Sequence, residues 1–303
     1  MGVMTKNHRP TIRTEKDSDC YLARLLNPSL KRERLRDSLK RAAGRRAANP
    51  RLVKNYLVIT FVMTFTILAA MVAAALTILQ ESGGWVLVVS YILWSGFLSW
   101  IFWIHLGLVR SPDGTMRERF GIPNTLTFFR LLMVPAIAHY LSHPFAWGPL
   151  QVWGLFIVLA VGITDVLDGT LARLLDWRTD YGRFSDPMAD VMTTTTASIA
   201  MAVSGVIPFW LSALIVFRYA GAFFGFVLTF MRGGRFNFQP TIAGKVCTPA
   251  VQGGFFFLFL AHVKPAWSFP SPFSLVLILT ATGVVIINTT YLFYRWYTLS
   301  KRS

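Results

Sequence analysis

The apolar positions of this chain fall in long unbroken blocks, not at the alternating or helical spacing of a half-buried soluble element. Eight blocks stand at about 56–80, 85–109, 122–142, 150–173, 187–205, 209–231, 246–263 and 272–294. The hydrocarbon core of a bilayer takes roughly 20 apolar residues per helix. In lipid, only helices or closed barrels satisfy every backbone polar group, and these blocks are too long and too evenly apolar for the alternating strands of a barrel. The pattern therefore predicts an all-α fold, a polytopic membrane helical bundle with eight spans.

The polar stretches between the blocks are asymmetric. Residues 1–54 are strongly basic, with Lys31, Arg32, Arg34, Arg36, Lys40, Arg41, Arg45, Arg46, Arg51 and Lys54. Turns on the same predicted side carry Arg110, Arg117 and Arg119, then Arg173, Arg178 and Arg183, then Arg232, Arg235 and Lys245, then Arg295, Lys301 and Arg302. Turns on the other side hold only Glu81, His143 and Lys264. Cytoplasmic loops are the ones enriched in Lys and Arg, so both termini are expected in the cytoplasm. The net charge of +16 thus reads as topology, and no nucleic-acid partner is expected. Trp85, Trp147, Trp210 and Trp267 near outer ends, with Trp177 and Trp296 near inner ends, suit interfacial belts. The first block is read as a true span, being too long and too far along the chain for a signal peptide.

This divides the chain into a basic cytoplasmic segment at 1–54, a two-helix transmembrane anchor at 55–110, an interfacial connector at 111–121 and a six-helix catalytic domain at 122–303. Within the first, Leu22, Leu25, Leu26, Leu30, Leu35, Leu39 and Ala42 recur at helical spacing among basic residues, interrupted at Pro28. They suggest an amphipathic helix on anionic membrane lipid or a charged tail that enforces topology. Gly221 and Gly225, four apart in an apolar block, permit close helix contact, either within one subunit or at a homodimer face.

A carboxylate inside a membrane is costly and by default functional. Asp165 and Asp168 lie near the end of the fourth block, one helical face at i and i+3. Asp186 and Asp190 follow at i and i+4 on a helix expected to begin near Asp186. A short loop over 173–184 makes the two helices antiparallel neighbours, so four carboxylates should share one volume. Alone they would repel and take up protons. Divalent cations are the natural remedy, and oxygen ligands without Cys or His favour Mg²⁺ or Mn²⁺.

Written out, Asp165-x-x-Asp168-Gly169-x-x-Ala172-Arg173, eight residues, then Gly182-x-x-x-Asp186-x-x-x-Asp190 resembles the signature of the CDP-alcohol phosphotransferases at every defining position. Ile122-Pro-Asn124-Thr-Leu-Thr127-Phe-Phe-Arg130 resembles the start of that family's first core helix. Gly244-Lys245-Val-Cys-Thr248-Pro-Ala-Val-Gln252 resembles a segment of members with phosphorylated acceptors, phosphatidylglycerophosphate synthases among them.

The resemblance covers about 122–297 and implies a six-helix core, preceded here by two extra spans, that opens to the cytoplasm. There the family displaces CMP from a CDP-linked lipid, of which CDP-diacylglycerol is the type, by attack of a small polar alcohol. It implies two metal ions on Asp165, Asp168, Asp186 and Asp190, with Asp190 also the base. Nucleotide contacts would come from Asp168, Gly169, Ala172, Arg173, Gly182 and Asp186. Arg130, Arg218, Lys245 and Thr248 would form an acceptor-phosphate pocket. Glycerol 3-phosphate is the first expected acceptor and inositol phosphate the second. Val191 after Asp190, and Arg218-Tyr219, depart from many members where the acceptor should sit. A bacterial inner membrane is the expected location. A divalent-cation transporter is the competing class, but an ion pathway needs polar groups through the membrane depth, and all four Asp residues crowd one side.

Overall fold

The computed structural model describes residues 35–77, 83–111, 114–219 and 242–263, together with helical residues at 276, 278–280, 282–287, 289–291 and 294. The described helices are α1 (Leu35–Ala47), α2 (Pro50–Thr77), α3 (Gly84–His105), α4 (Ile122–Leu132), α5 (Val134–Ser142), α6 (Gln151–Leu174), α7 (Asp180–Val203), α8 (Phe209–Tyr219) and α9 (Ile242–Val263). Tight 3₁₀ turns follow α3 at Leu106–Leu108 and precede α6 at Pro144–Leu150. Among the described residues no strand forms beyond an isolated bridge between Arg110 and Met116.

Four stretches are long and apolar enough to cross a bilayer: Pro50–Thr77, Gly84–Leu108, Ile122–Ser142 and Pro144–Leu174. Large apolar side chains such as Phe61, Leu93, Trp153 and Phe209 face outward. A helix apolar all round belongs in lipid or deep in a core, and here the outward surface is the apolar one. The protein is a polytopic helical membrane protein.

Two of the differences from the sequence expectation have a clear local reason. The third span is two helices, α4 and α5, broken at Met133. Pro135 has no N–H to give the carbonyl of Leu131, and that carbonyl instead accepts from Trp94 Nε1 on α3 at 2.7 Å. The helix expected near Asp186 begins at Asp180. Thr179 caps it, its hydroxyl accepting from Gly182 N at 3.1 Å, which satisfies one of the orphan donors of a helix start.

The first two spans pack into the core. Tyr56 of α2 lies edge-on to Phe120, with ring centroids 5.4 Å apart, and Phe102 of α3 packs at 4.9 Å from Phe128 and 5.3 Å from Tyr181. Asn55 Oδ1 accepts from Phe120 N at 2.8 Å, and Asn49 Nδ2 donates to Arg117 O at 3.0 Å. The described part of the amphipathic segment, α1, is docked on protein. It lies so close to the Leu106–Leu108 turn that a Cβ on Gly107 would collide with the Ala42 backbone. Residues 1–34, and Gly221 and Gly225, lie outside the described residues.

Candidate active site

The site is built around α4. Asn124, Thr127 and Arg130 stand three residues apart, and at 3.6 residues per turn they span about a third of the helix circumference. All three are buried. Gly121 admits the chain to this helix at φ +86, and a Cβ there would run into Trp177 Nε1, so the 110–121 segment can close against the loop before α7 only with glycine at that position.

The four aspartates of α6 and α7 gather on that face. Arg130 Nη1 pairs with Asp165 and lies 3.2 Å from Asp190 Oδ1, while Nη2 lies 3.5 Å from Asp168 Oδ2. The Thr127 hydroxyl sits 3.1 Å from Asp168 Oδ2, 3.2 Å from Asp186 Oδ1 and 3.1 Å from the Pro123 carbonyl. A hydroxyl has one proton to donate, so at least one of the two carboxylates it touches goes without it. One guanidinium against four carboxylates leaves three formal negative charges.

Among the described residues no three acidic or imidazole side chains are already disposed to hold one ion. The carboxylates turn onto Arg130 and Thr127 instead. The donor set nonetheless fits a hard cation: every candidate ligand is an oxygen, acceptors outnumber donors, and the unneutralised charge is negative.

Beside the cluster is a cleft of about 110 Å³ whose lining includes Asn124, Asp168, Ala172, Trp177, Gly182 and Asp186. Gly182 is instructive. A Cβ at this position would lie 3.5 Å from Asn124 Oδ1 and from Thr179 Oγ1 and 3.6 Å from Asp186 Oδ2, which is ordinary contact. The protein's own packing therefore tolerates alanine, and what glycine preserves is open space in the cleft. Gly169 faces the Arg173 side chain, and Arg173 is exposed with Nη2 3.3 Å from Thr170 Oγ1.

The start of α7 is pinned from outside. Arg110 Nε donates to Asp180 Oδ2 at 2.8 Å with both side chains under 10% exposed, and Asp180 N donates to Arg110 O at 3.1 Å. Tyr181, wholly buried, packs edge-on against Phe102 and Phe120.

Of the four residues expected in the acceptor pocket, the structure describes the side chains of Arg130 and Arg218. Arg130 belongs to the aspartate cluster, because α4 packs against both α6 and α7 and turns its third polar position into their shared face. Arg218 is buried on α8 with its guanidinium 5.1 Å from the Tyr219 ring centre, and among the described residues no motif aspartate pairs with it. Lys245 and Thr248 lie on α9, their side chains outside the described residues. Several site residues carry a different meaning in the sequence alone. By position alone Arg110 and Arg178 read as topology charges and Trp177 as a belt residue. Thr179 carried a legible signal, a capping residue immediately before an acid.

The family model for CDP-alcohol phosphatidyltransferases matches residues 120–296, which spans α4, the aspartate cluster and the cleft. The chain belongs to the CDP-alcohol phosphatidyltransferase family. Among its relatives is a Mycobacterium tuberculosis (strain ATCC 25618 / H37Rv) protein named "Putative cardiolipin synthase", 31% identical over 159 residues, or 52% of this chain and 73% of that protein. The CDP-diacylglycerol–glycerol-3-phosphate 3-phosphatidyltransferase of Bacillus subtilis is 30% identical over 109 residues, 33% of this chain and 56% of its own. The protein of that same name from Salmonella typhimurium is 38% identical over 81 residues, 27% and 43% of the two chains. No solved structure gives a significant match. Arg110, Tyr56 and Phe102, which brace the family's core here, all precede the matched residues.

Proposed function

We propose that this protein transfers a phosphatidyl group from CDP-diacylglycerol to a small polar alcohol, releasing CMP, as a step of phospholipid synthesis. The observation that carries this reading is the gathering of Asp165, Asp168, Asp186 and Asp190 on Arg130 and Thr127, beside a cleft that Gly182 keeps open. In that cleft Asp168, Ala172, Gly182 and Asp186 would bound the nucleotide, with Gly169 and Arg173 toward its rim.

The reaction forms one P–O bond to the acceptor oxygen and breaks the one to CMP, and the acceptor's hydroxyl proton must go to a base. Asp190 suits that role by access: its side chain is 41% exposed, against 29% for Asp165 and 7% for Asp168. Arg130 holds Asp190 toward the cluster, where it can receive the proton. Mg²⁺ or Mn²⁺ bound by the four aspartates, two ions by the charge to be met, would supply neutralisation of the diphosphate leaving group.

The acceptor reading is glycerol 3-phosphate, supported by the names of the Bacillus and Salmonella relatives, with inositol phosphate as the second candidate. The site is read as facing the cytoplasm of a bacterial inner membrane. In support, the ends the charge pattern puts on one side, near residues 46–55, 103–121 and 173–186, gather together in the fold. Membranes containing the protein should release CMP from CDP-diacylglycerol only with a divalent metal and an acceptor present. Asp190→Asn should lower that rate at least ~10²-fold, the usual size of a general-base effect. Undiminished release from Asp190→Asn would remove the base assignment, and absence of any CMP release across an acceptor panel would remove the reaction.

A further inference from the structure

A second concave site lies far from the aspartates in sequence and outside residues 120–296. Where α1 hands over to α2 there is a groove of about 450 Å³ lined by Arg46, Val53, Lys54, Leu57, Val58 and Trp103. Its two ends differ in chemistry. At the end near the start of α2 stand the cations Arg46 and Lys54. Beyond them, Leu57 and Val58 begin a lipid-facing track that continues through Phe61, Val62 and Phe65, one helical turn at a time, each about half exposed or more.

The cationic end is preformed. Arg46 Nη1 donates to the Trp103 carbonyl at 2.9 Å, and its guanidinium carbon sits 4.3 Å from the Trp103 ring centre. Both partners are neutral, so they fix the side chain without cancelling its charge. Among the described residues no carboxylate pairs with Arg46 or Lys54, whereas nearby Arg51 is matched to Glu118 at 3.0 Å. A fixed cation that no described carboxylate neutralises, at the head of an apolar track, suits a molecule with an anionic head and a hydrocarbon tail. Orienting Arg46 in advance lowers the entropic cost of binding one, and basic pockets beside membrane helices are suited to anionic lipid head groups.

We infer that the α1–α2 groove is a binding site for an anionic phospholipid, its phosphodiester held by Arg46 and Lys54 and one acyl chain laid along Leu57, Val58, Phe61, Val62 and Phe65. Zwitterionic lipid would offer the same phosphodiester and apolar contacts but bring a quaternary ammonium of its own beside the two cations, so its net attraction to them is weaker. The site is separate from the aspartate cluster, so it stands whether or not the transfer reaction is as proposed.

The test is retention of lipid by the purified full chain, read by native mass spectrometry after incubation with equal amounts of dioleoylphosphatidylglycerol and dioleoylphosphatidylcholine. The wild type should keep the anionic lipid at least about fivefold over the neutral one, the preference one lysine or arginine near a membrane surface confers. Lys54 is exposed, so Lys54→Glu leaves packing intact and, as a change of two charges, should lower that preference roughly 25-fold. Lys54→Gln should lower it by less. A phosphatidylglycerol carrying a photoreactive group on its acyl chain should label peptides containing Val58 to Phe65. Equal retention of the two lipids, an unchanged preference in both Lys54 variants, or label confined to residues 120–296 would each overturn the assignment.

Discussion

Arg130 Nη1 stands 3.2 Å from Asp190 Oδ1 while the same nitrogen pairs with Asp165. One nitrogen of α4 thus joins the last carboxylate of the motif on α7 to its first on α6, residues separated by 25 positions in the chain. The guanidinium is 3% exposed, and among the described residues its Nε and Nη2 find no hydrogen-bond acceptor. It acts through its charge at the centre of an acidic cluster more than through a full set of directed bonds.

Replacing Arg130 should therefore cost stability as well as activity. Arg130→Gln leaves three carboxylates without their counter-charge. Breaking a buried pair costs roughly 3–5 kcal/mol, here toward the lower bound because Asp165 and Asp190 are partly exposed. In detergent and without metal, the Tm of Arg130→Gln should fall well below wild type, with Arg130→Lys between them. Added Mn²⁺ should raise the Gln variant's Tm by more than it raises the wild type's. Identical responses to metal would mean that Arg130 does not balance the cluster.

The aspartates were legible in the sequence because their information is local: spacings of three and four residues on helices whose apolar runs are unmistakable. What Arg130 pairs with was not, since that depends on which faces of α4, α6 and α7 meet. The same holds for Arg110, whose place after the second span reads as a topology charge until Asp180 is brought 2.8 Å away across 70 residues. The break at Met133 was readable in principle from Pro135, but the apolar run through it conceals a kink whose freed carbonyl is met by Trp94. The early start of α7 was hidden by Asp180 and Arg183, polar residues that look like loop when Thr179 is not weighed as a cap.

The Arg110–Asp180 pair predicts coupling between the N-terminal spans and the catalytic core. Arg110→Gln and Asp180→Asn should each destabilise by about 3–5 kcal/mol, the cost of stranding one buried charge. The double variant strands neither, so its loss should be clearly smaller than the sum of the two, a coupling within the ~0.5–3 kcal/mol range of interacting neighbours. Chemical denaturation of the four proteins in one detergent measures this. Strict additivity would show that the two side chains do not depend on each other.

At Gly121 the constraint is conformational and steric at once. A φ of +86 disfavours any side chain, and a Cβ would meet the Trp177 indole. Gly121→Ala should cost about 1–3 kcal/mol and displace Trp177 from the cleft wall. The Tm should drop, and binding of CMP, followed by calorimetry, should weaken in the same variant. A stable Gly121→Ala protein with normal CMP affinity would show that the connector need not close against this loop.

Gly182 separates space kept for a ligand from space required by the fold. Alanine there meets its neighbours at 3.5–3.6 Å, ordinary contact, and it lies one turn into α7 on a backbone that alanine adopts readily. Glycine in a helix costs roughly 0.5–1 kcal/mol relative to alanine, so Gly182→Ala should leave Tm unchanged or slightly raised. The added methyl would stand in a cleft of only about 110 Å³, between Asn124 and Asp186. If a nucleotide occupies that cleft, kcat/KM for the CDP-lipid should fall by more than about tenfold, the 1.4 kcal/mol equivalent of a modest steric clash. Most core substitutions lower activity by lowering stability. This one should move the two in opposite directions, and a variant that keeps both its Tm and its turnover would show that the cleft does not hold the nucleotide.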